Sequence, residues 1–176
     1  AAPARSPNIL FLLADDLGWK DVGFHGGNVP TPNLDRLRRD GVELSRHYVF
    51  TVCSATRASL LTGRYCTRFG FAGALNIRAL PWDTVTLSRA LQQAGYETAI
   101  SGKWHLGSKP EWGPNLFGFD HSYGSLAGGV GPWDHKYKQG GFARTWHRNG
   151  SYREDEGHVT DLRAEEGVRC IGPRRR

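Results

Sequence analysis

The chain has no methionine, only three cysteines, and no apolar run longer than the stretch from Ile9 to Ala14. That run is far below the roughly 20 apolar residues a helix needs to cross a bilayer, so no membrane span is expected. Cys53, Cys66 and Cys170 are odd in number and lack metal-ligand spacing, which leaves no disulfide framework or cysteine metal motif to read. Without methionine, Ala1 is not an initiator. The Ala1-Ala2-Pro3-Ala4 opening fits the stump of a cleaved export signal, and on that ground a secreted, periplasmic or lysosomal protein is expected. Internal repeats are absent as well. The net charge of +6 has no focus, since Arg174, Arg175 and Arg176 supply half of it and the remaining cations are scattered. Nucleic-acid binders carry a basic stripe interleaved with stacking aromatics, so no nucleic-acid partner is expected. A basic balance does suit sulfated polysaccharides.

What is present fits one globular domain: 176 residues, 39% hydrophobic and 23% charged, are enough to bury a core. Residues 8–14 are continuously apolar between Pro7 and Asp15, the pattern of a strand buried on both faces of a parallel sheet. Thr31, Pro32 and Gly41 bracket a short helix over 32–40. Residues 42–50 read as a second extended segment, and 53–61 as a helix. Leu87, Ala90, Leu91 and Ala94 share one face of a helix over 84–94 that stops at Gly95. A strand follows over 96–101. Residues 102–157 are glycine-rich and loop-like with room for a short hairpin, and a further helix opens within 154–171. Alternating strands and helices predict an α/β fold, a mostly parallel sheet sandwiched by helices.

Three segments carry chemistry. Asp15-Asp16 directly follows the first expected strand, at the edge where open α/β sheets collect ligands. Two adjacent carboxylates suit a hard divalent cation, and equally suit a strand-ending turn. Cys53 stands four residues before Arg57, at the start of a helix where unsatisfied N–H groups favour an anion. Lys103 and His105, inside Gly102-Lys-Trp-His-Leu-Gly107, offer a fixed cation and a proton carrier beyond the strand at 96–101.

Together, Asn8-Ile-Leu-Phe-Leu-Leu-Ala-Asp-Asp-Leu-Gly-Trp19, Cys53-Ser-Ala-Thr-Arg57 with Leu61-Thr-Gly-Arg64, and Gly102-Lys-Trp-His-Leu-Gly107 resemble the sulfatase family, within it the arylsulfatase B-type enzymes. Thr31-Pro-Asn-Leu-Asp35 and Gly118-Phe-Asp120 extend the likeness over most of residues 7–125. The resemblance implies an alkaline-phosphatase-like α/β domain over 8–171, between an N-terminal tail (1–7) and a basic tail (172–176). It implies that Cys53 is oxidised by a formylglycine-generating enzyme to formylglycine. That aldehyde hydrates to a diol, one oxygen of which attacks sulfur while the other later expels sulfate. Asp15, Asp16 and position 53 would bind Ca2+ or another divalent metal. Arg57 would hold the modified residue, Lys103 would bind the sulfate, and His105 would be the base. The substrate would be a sulfate ester, with sulfated sugars the leading class.

Two departures from the family pattern matter. Ala55 replaces the usual proline of Cys-x-Pro-Ser-Arg, and with it the restraint that keeps the preceding residue extended. The family's downstream Asp-Asn pair, second lysine and second histidine have no counterpart, so a truncated domain is expected. Two alternatives therefore stand beside the sulfatase reading: a phosphate mono- or diester hydrolase of the same superfamily, and an inactive remnant in which Cys53 stays a thiol. Trp133, Asp134, His135 and Tyr137, within 124–141, are candidate sugar contacts, with an ordinary glycine-rich surface loop the alternative.

Overall fold

The computed structural model of the chain describes residues 6–71, 73, 77–138 and 140–172. Most of each expected tail, residues 1–5 and 173–176, thus lies outside the described residues. The chain divides into two units, Ala1–Tyr48 and Val49–Arg176.

In the first unit, α1 spans Pro32–Asp40, the bounds expected from its punctuation. Proline at the first helical position gives up an N–H that has no intrahelical partner anyway. Thr31 does not cap the helix backbone. Its hydroxyl accepts the Gly23 N–H at 2.8 Å and donates to Asp35 Oδ1 at 2.7 Å, tying α1 to the 3-10 turn Gly23–His25. Beyond the helix, Glu43 takes hydrogen bonds from Arg38 and from His25, and these hold its carboxyl below the usual range.

Residues 8–14 differ from expectation. Among the described residues they join no β-ladder, and Ile9, Leu10, Phe11 and Leu12 are 58–67% exposed. A run of apolar side chains states a need for burial. A strand also requires a neighbour whose N–H and C=O groups complete the ladder, and this unit supplies none. The segment over 42–50 likewise forms no strand.

The second unit contains the core. Helix α2 spans Cys53–Thr62 and ends at Gly63, whose φ of +64° is the left-handed stop that glycine makes cheaply. Its inner face sets Ala55 and Ala58 against Phe71, Leu80, Trp104, Leu106, Phe117 and Leu126. Helix α3 spans Leu87–Gln93, three residues shorter at its start than the apolar spacing suggests. Thr86 is the reason: its hydroxyl accepts the Arg89 N–H as an N-cap and also donates to Phe117 O, leaving Thr84 and Val85 outside.

The sheet has the order β1-β2-β3-β4. Strand β1 (Ala99–Lys103) runs parallel to β2 (His121–Ser125), in register from Ala99 opposite His121 to Lys103 opposite Ser125. Strands β3 (Trp146–Arg148) and β4 (Ser151–Tyr152) continue it antiparallel. The α/β class is thus observed, with the parallel pairing in β1–β2 and a hairpin at the far edge. That hairpin turns on Asn149 and Gly150, with φ of 47° and 77°, the two-residue turn that suits twisted strands. Helix α4 (Val159–Ile171) lies along β1 and β2. Ser101 Oγ donates to Arg163 O, and Arg163 reaches Ser125 Oγ, both at 2.7 Å.

Candidate active site

Cys53 is the first residue of α2, half-buried, with Sγ 3.1 Å from Nδ1 of His105. The partner arrives along the sheet. Past the last paired residues of β1 and β2, the Trp104 N–H donates to Ser125 O at 2.9 Å and the His105 N–H to Leu126 O at 3.0 Å. These two bonds carry the chain beyond Lys103 and set His105 against the start of α2. His105 is 5% exposed and has a φ of +55°, a left-handed conformation that few non-glycine residues adopt. Trp104 anchors the turn: it is buried, and its Nε1 donates to Trp112 O at 2.9 Å.

Arg57 lies one turn after Cys53 and is 8% exposed. Its guanidinium donates to the carbonyl of Lys103 at 2.5 Å, bracing α2 against the end of β1. The structure therefore brings four of the sequence candidates to one edge, Cys53 against His105 and Arg57 against Lys103. The N-terminus of α2 and the Arg57 guanidinium meet the end of β1 there, an environment that favours an anion. Asp15 and Asp16 belong to the other unit, where both are exposed and Asp16 has a φ of +55°. Their oxygens are accessible and of the hard donor type that calcium takes, though two carboxylates fill only part of the six to eight positions typical of that ion.

The model for the family described as Sulfatase matches residues 7–165. The chain belongs to the sulfatase family. Human N-acetylgalactosamine-6-sulfatase is 36% identical over 189 residues, covering 95% of this chain and 36% of that protein. Mouse arylsulfatase J is 39% identical over 132 residues, covering 72% of this chain and 22% of its own length. Among solved structures, Ps i-CgsB superposes with a TM-score of 0.84 at 32% identity, covering 96% of this chain and 42% of that one. BT4656, solved with its substrate D-glucosamine-2-N,6-O-disulfate, gives a TM-score of 0.77 at 29% identity over 96% of this chain and 31% of its own. The sulfatase chain thus spans between a fifth and two fifths of the length of these relatives.

Elsewhere in this sulfatase chain, His121, Glu166 and Cys170 offer ligand atoms within 4.8 Å of one another, beside a pocket of about 360 Å³. His121 opens β2 whereas Ser125 closes it, which separates this cluster from the Lys103 edge by ~13 Å along the strand. Glu166 there already accepts both guanidinium nitrogens of Arg148, one from Arg169 and a contact from His121. Burial raises its pKa, but these donors outweigh burial and hold it below the usual range. The geometry is that of an ion-pair clasp pinning α4 to β2 and β3.

The loop after β2 sorts its candidates. His135 is 4% exposed, stacks on Trp146 at 4.7 Å and contacts Gly157 O through Nε2 at 2.9 Å, so it is a packing residue and not a sugar contact. Asp134 Oδ1 accepts the Lys136 N–H at 3.1 Å and shapes the turn. Trp133 is 68% exposed and remains available. Sequence reasoning passed over Ser125 and Leu126, whose carbonyls place Trp104 and His105. They act through the backbone, so no side-chain pattern announces them.

Proposed function

We propose that the protein containing this chain hydrolyses sulfate esters, and that Cys53, Arg57, Lys103 and His105 form one side of its active site. The observation that carries the reading is the 3.1 Å approach of His105 Nδ1 to Cys53 Sγ at the N-terminus of α2. In the folded chain that sulfur stands in for the oxygens of formylglycine. When formed, formylglycine supplies a hydrated aldehyde whose two hydroxyls serve as nucleophile and as the group that releases sulfate. The half-exposed site holds a small polar side chain beside an imidazole and fits such a group.

The chain's own residues have separable tasks. His105 Nδ1 is within reach to accept and return a proton at position 53. Lys103 offsets the charge of the sulfuryl oxygens. Arg57 holds Lys103 through its carbonyl and adds a fixed positive charge behind position 53. Asp15 and Asp16 would contribute to holding a divalent cation, for which calcium suits the oxygen donors. A sulfated sugar is the substrate class, supported by the substrate named with BT4656 and by the name of N-acetylgalactosamine-6-sulfatase. A formylglycine-generating enzyme is the implied maturation partner, and an exported location is consistent with such substrates. No helix among the described residues is long and apolar enough to cross a membrane.

The test is paired. The mass of the Cys53 peptide reports loss of sulfur on conversion, and aryl sulfate and aryl phosphate are then offered with calcium to the converted protein. Sulfate-ester turnover that disappears in Cys53→Ala supports the proposal. Faster phosphate-ester turnover, or sulfate turnover surviving Cys53→Ala, overturns it.

A further inference from the structure

The imidazole of His105 is bounded on both sides. Nδ1 faces Cys53 Sγ, while the opposite edge of the ring lies against Gly128, three residues past the end of β2. A Cβ placed on Gly128 would fall 2.5 Å from both Cε1 and Nε2 of His105 and 3.1 Å from Cδ2. Real carbon atoms do not approach so closely, so any side chain at position 128 must push the ring away. The neighbouring glycine differs: a Cβ on Gly129 meets nothing within 4 Å. Gly124 differs again, because its Cβ would run into the backbone of Gly102 across the β1–β2 pairing.

We propose that Gly128 is a positioning residue for His105: its bare backbone forms the wall that keeps the imidazole turned with Nδ1 towards position 53. The inference rests on the role given to His105 above. It separates two effects that usually travel together. At Gly124 a side chain collides with backbone, which cannot move without breaking the ladder. At Gly128 it collides with a side chain that can swing about its own torsions, so the fold survives while the geometry at position 53 does not.

The experiment uses the 176-residue chain made in a host without cysteine-to-formylglycine conversion, so that Cys53 is a thiol. Iodoacetamide alkylation of Cys53 is followed by peptide mass, with half-buried Cys170 in the same molecule as the reference. Attack by sulfur on iodoacetamide requires the thiol proton to leave, and an imidazole within hydrogen-bond reach can accept it during the attack, so His105→Ala should slow Cys53 by about tenfold relative to Cys170. Gly128→Ala should slow it comparably, Gly129→Ala should match the parent, and the Gly128→Ala, His105→Ala double variant should be no slower than either single one. In the double-mutant cycle, any loss of stability from Gly128→Ala should shrink in the His105→Ala background, where the ring no longer obstructs the new Cβ. If His105→Ala slows Cys53 but Gly128→Ala does not, the positioning role is wrong and the active-site reading stands. If His105→Ala leaves the rate unchanged, the Cys53–His105 pairing fails, and the inference with it. Equal stability loss from Gly128→Ala with and without the imidazole also overturns it, even for a poorly folded variant.

Discussion

The two units treat their apolar residues in opposite ways. Up to Tyr48, Val22 is the one buried hydrophobic side chain among the described residues, and α1 and its flanking turns are tied by polar contacts such as Thr31 to Asp35 and His25 to Glu43. From Val49 onwards, Trp104, Leu106, Phe117 and Leu126 are almost completely buried around α2 and the sheet. Yet the most hydrophobic run of the chain, residues 9–14, lies in the first unit. Hydrophobicity measures what a segment would gain from burial, and only surrounding surfaces can supply that burial.

Truncations test this contrast most strongly. Trp104→Ala should cost about 3–5 kcal/mol in chemical denaturation, as large-to-small changes in closed cores do. Leu12→Ala, at a side chain 67% exposed, should cost less than about 0.5 kcal/mol. Comparable losses at the two positions would mean that the apolar run is covered in solution. Next in size is the clasp. Glu166→Gln leaves Arg148 and Arg169 without their carboxylate and should cost about 2–3 kcal/mol, less than a wholly buried pair because both arginines reach solvent. An unchanged midpoint would show that α4 is held by packing alone.

The pH dependence sharpens the comparison further. Burial is the main reason that the His147 pKa falls to about 4 from an ordinary 6.5. The folded state thus favours neutral imidazole, so its contribution is complete above pH 6.5 and is lost as pH falls from there towards 4. At about 1.4 kcal/mol per unit the loss should approach 2–3 kcal/mol, and His147→Gln should flatten that limb of the stability curve. The smallest effect concerns the first unit alone. Asp15→Asn with Asp16→Asn should weaken calcium binding in calorimetry by about tenfold or more with little change in melting temperature, because both side chains are exposed. Tight binding that survives the double change would move the cation elsewhere.

Much of this architecture is legible where the signals are local. Pro32 and Gly41 mark α1, and the run from Cys53 to Gly63 gives α2 to within a residue. Strand β1 begins at Ala99 and not at Tyr96, because the Tyr96 N–H closes the turn after α3 onto Leu91 O. The hairpin of β3 and β4 had its signal in Asn149-Gly150, which the surrounding glycines and charges obscured. Cys53 and Arg57 are four apart on a helix, so their common face follows from helical geometry. The contact between Gly128 and His105 spans 23 residues and depends on how two chain segments leave a sheet, which no periodicity records. Ala55 has a similar lesson. It is 2% exposed at the third position of α2, where a missing N–H would break no helical bond. Helical hydrogen bonding therefore does not separate alanine from proline there, whereas the extended segment before folding loses the restraint that proline would impose.

The pair of hydrogen bonds from Trp104 and His105 to Ser125 and Leu126 makes the pairing of β1 with β2 a measuring device. Sliding β1 by one residue would present Trp104 or Leu106 to Cys53 in place of His105 and would turn Lys103 to the opposite face of the sheet. An insertion or deletion inside either strand is therefore an error of address: each residue of the cluster survives unaltered, delivered one step from where it can act.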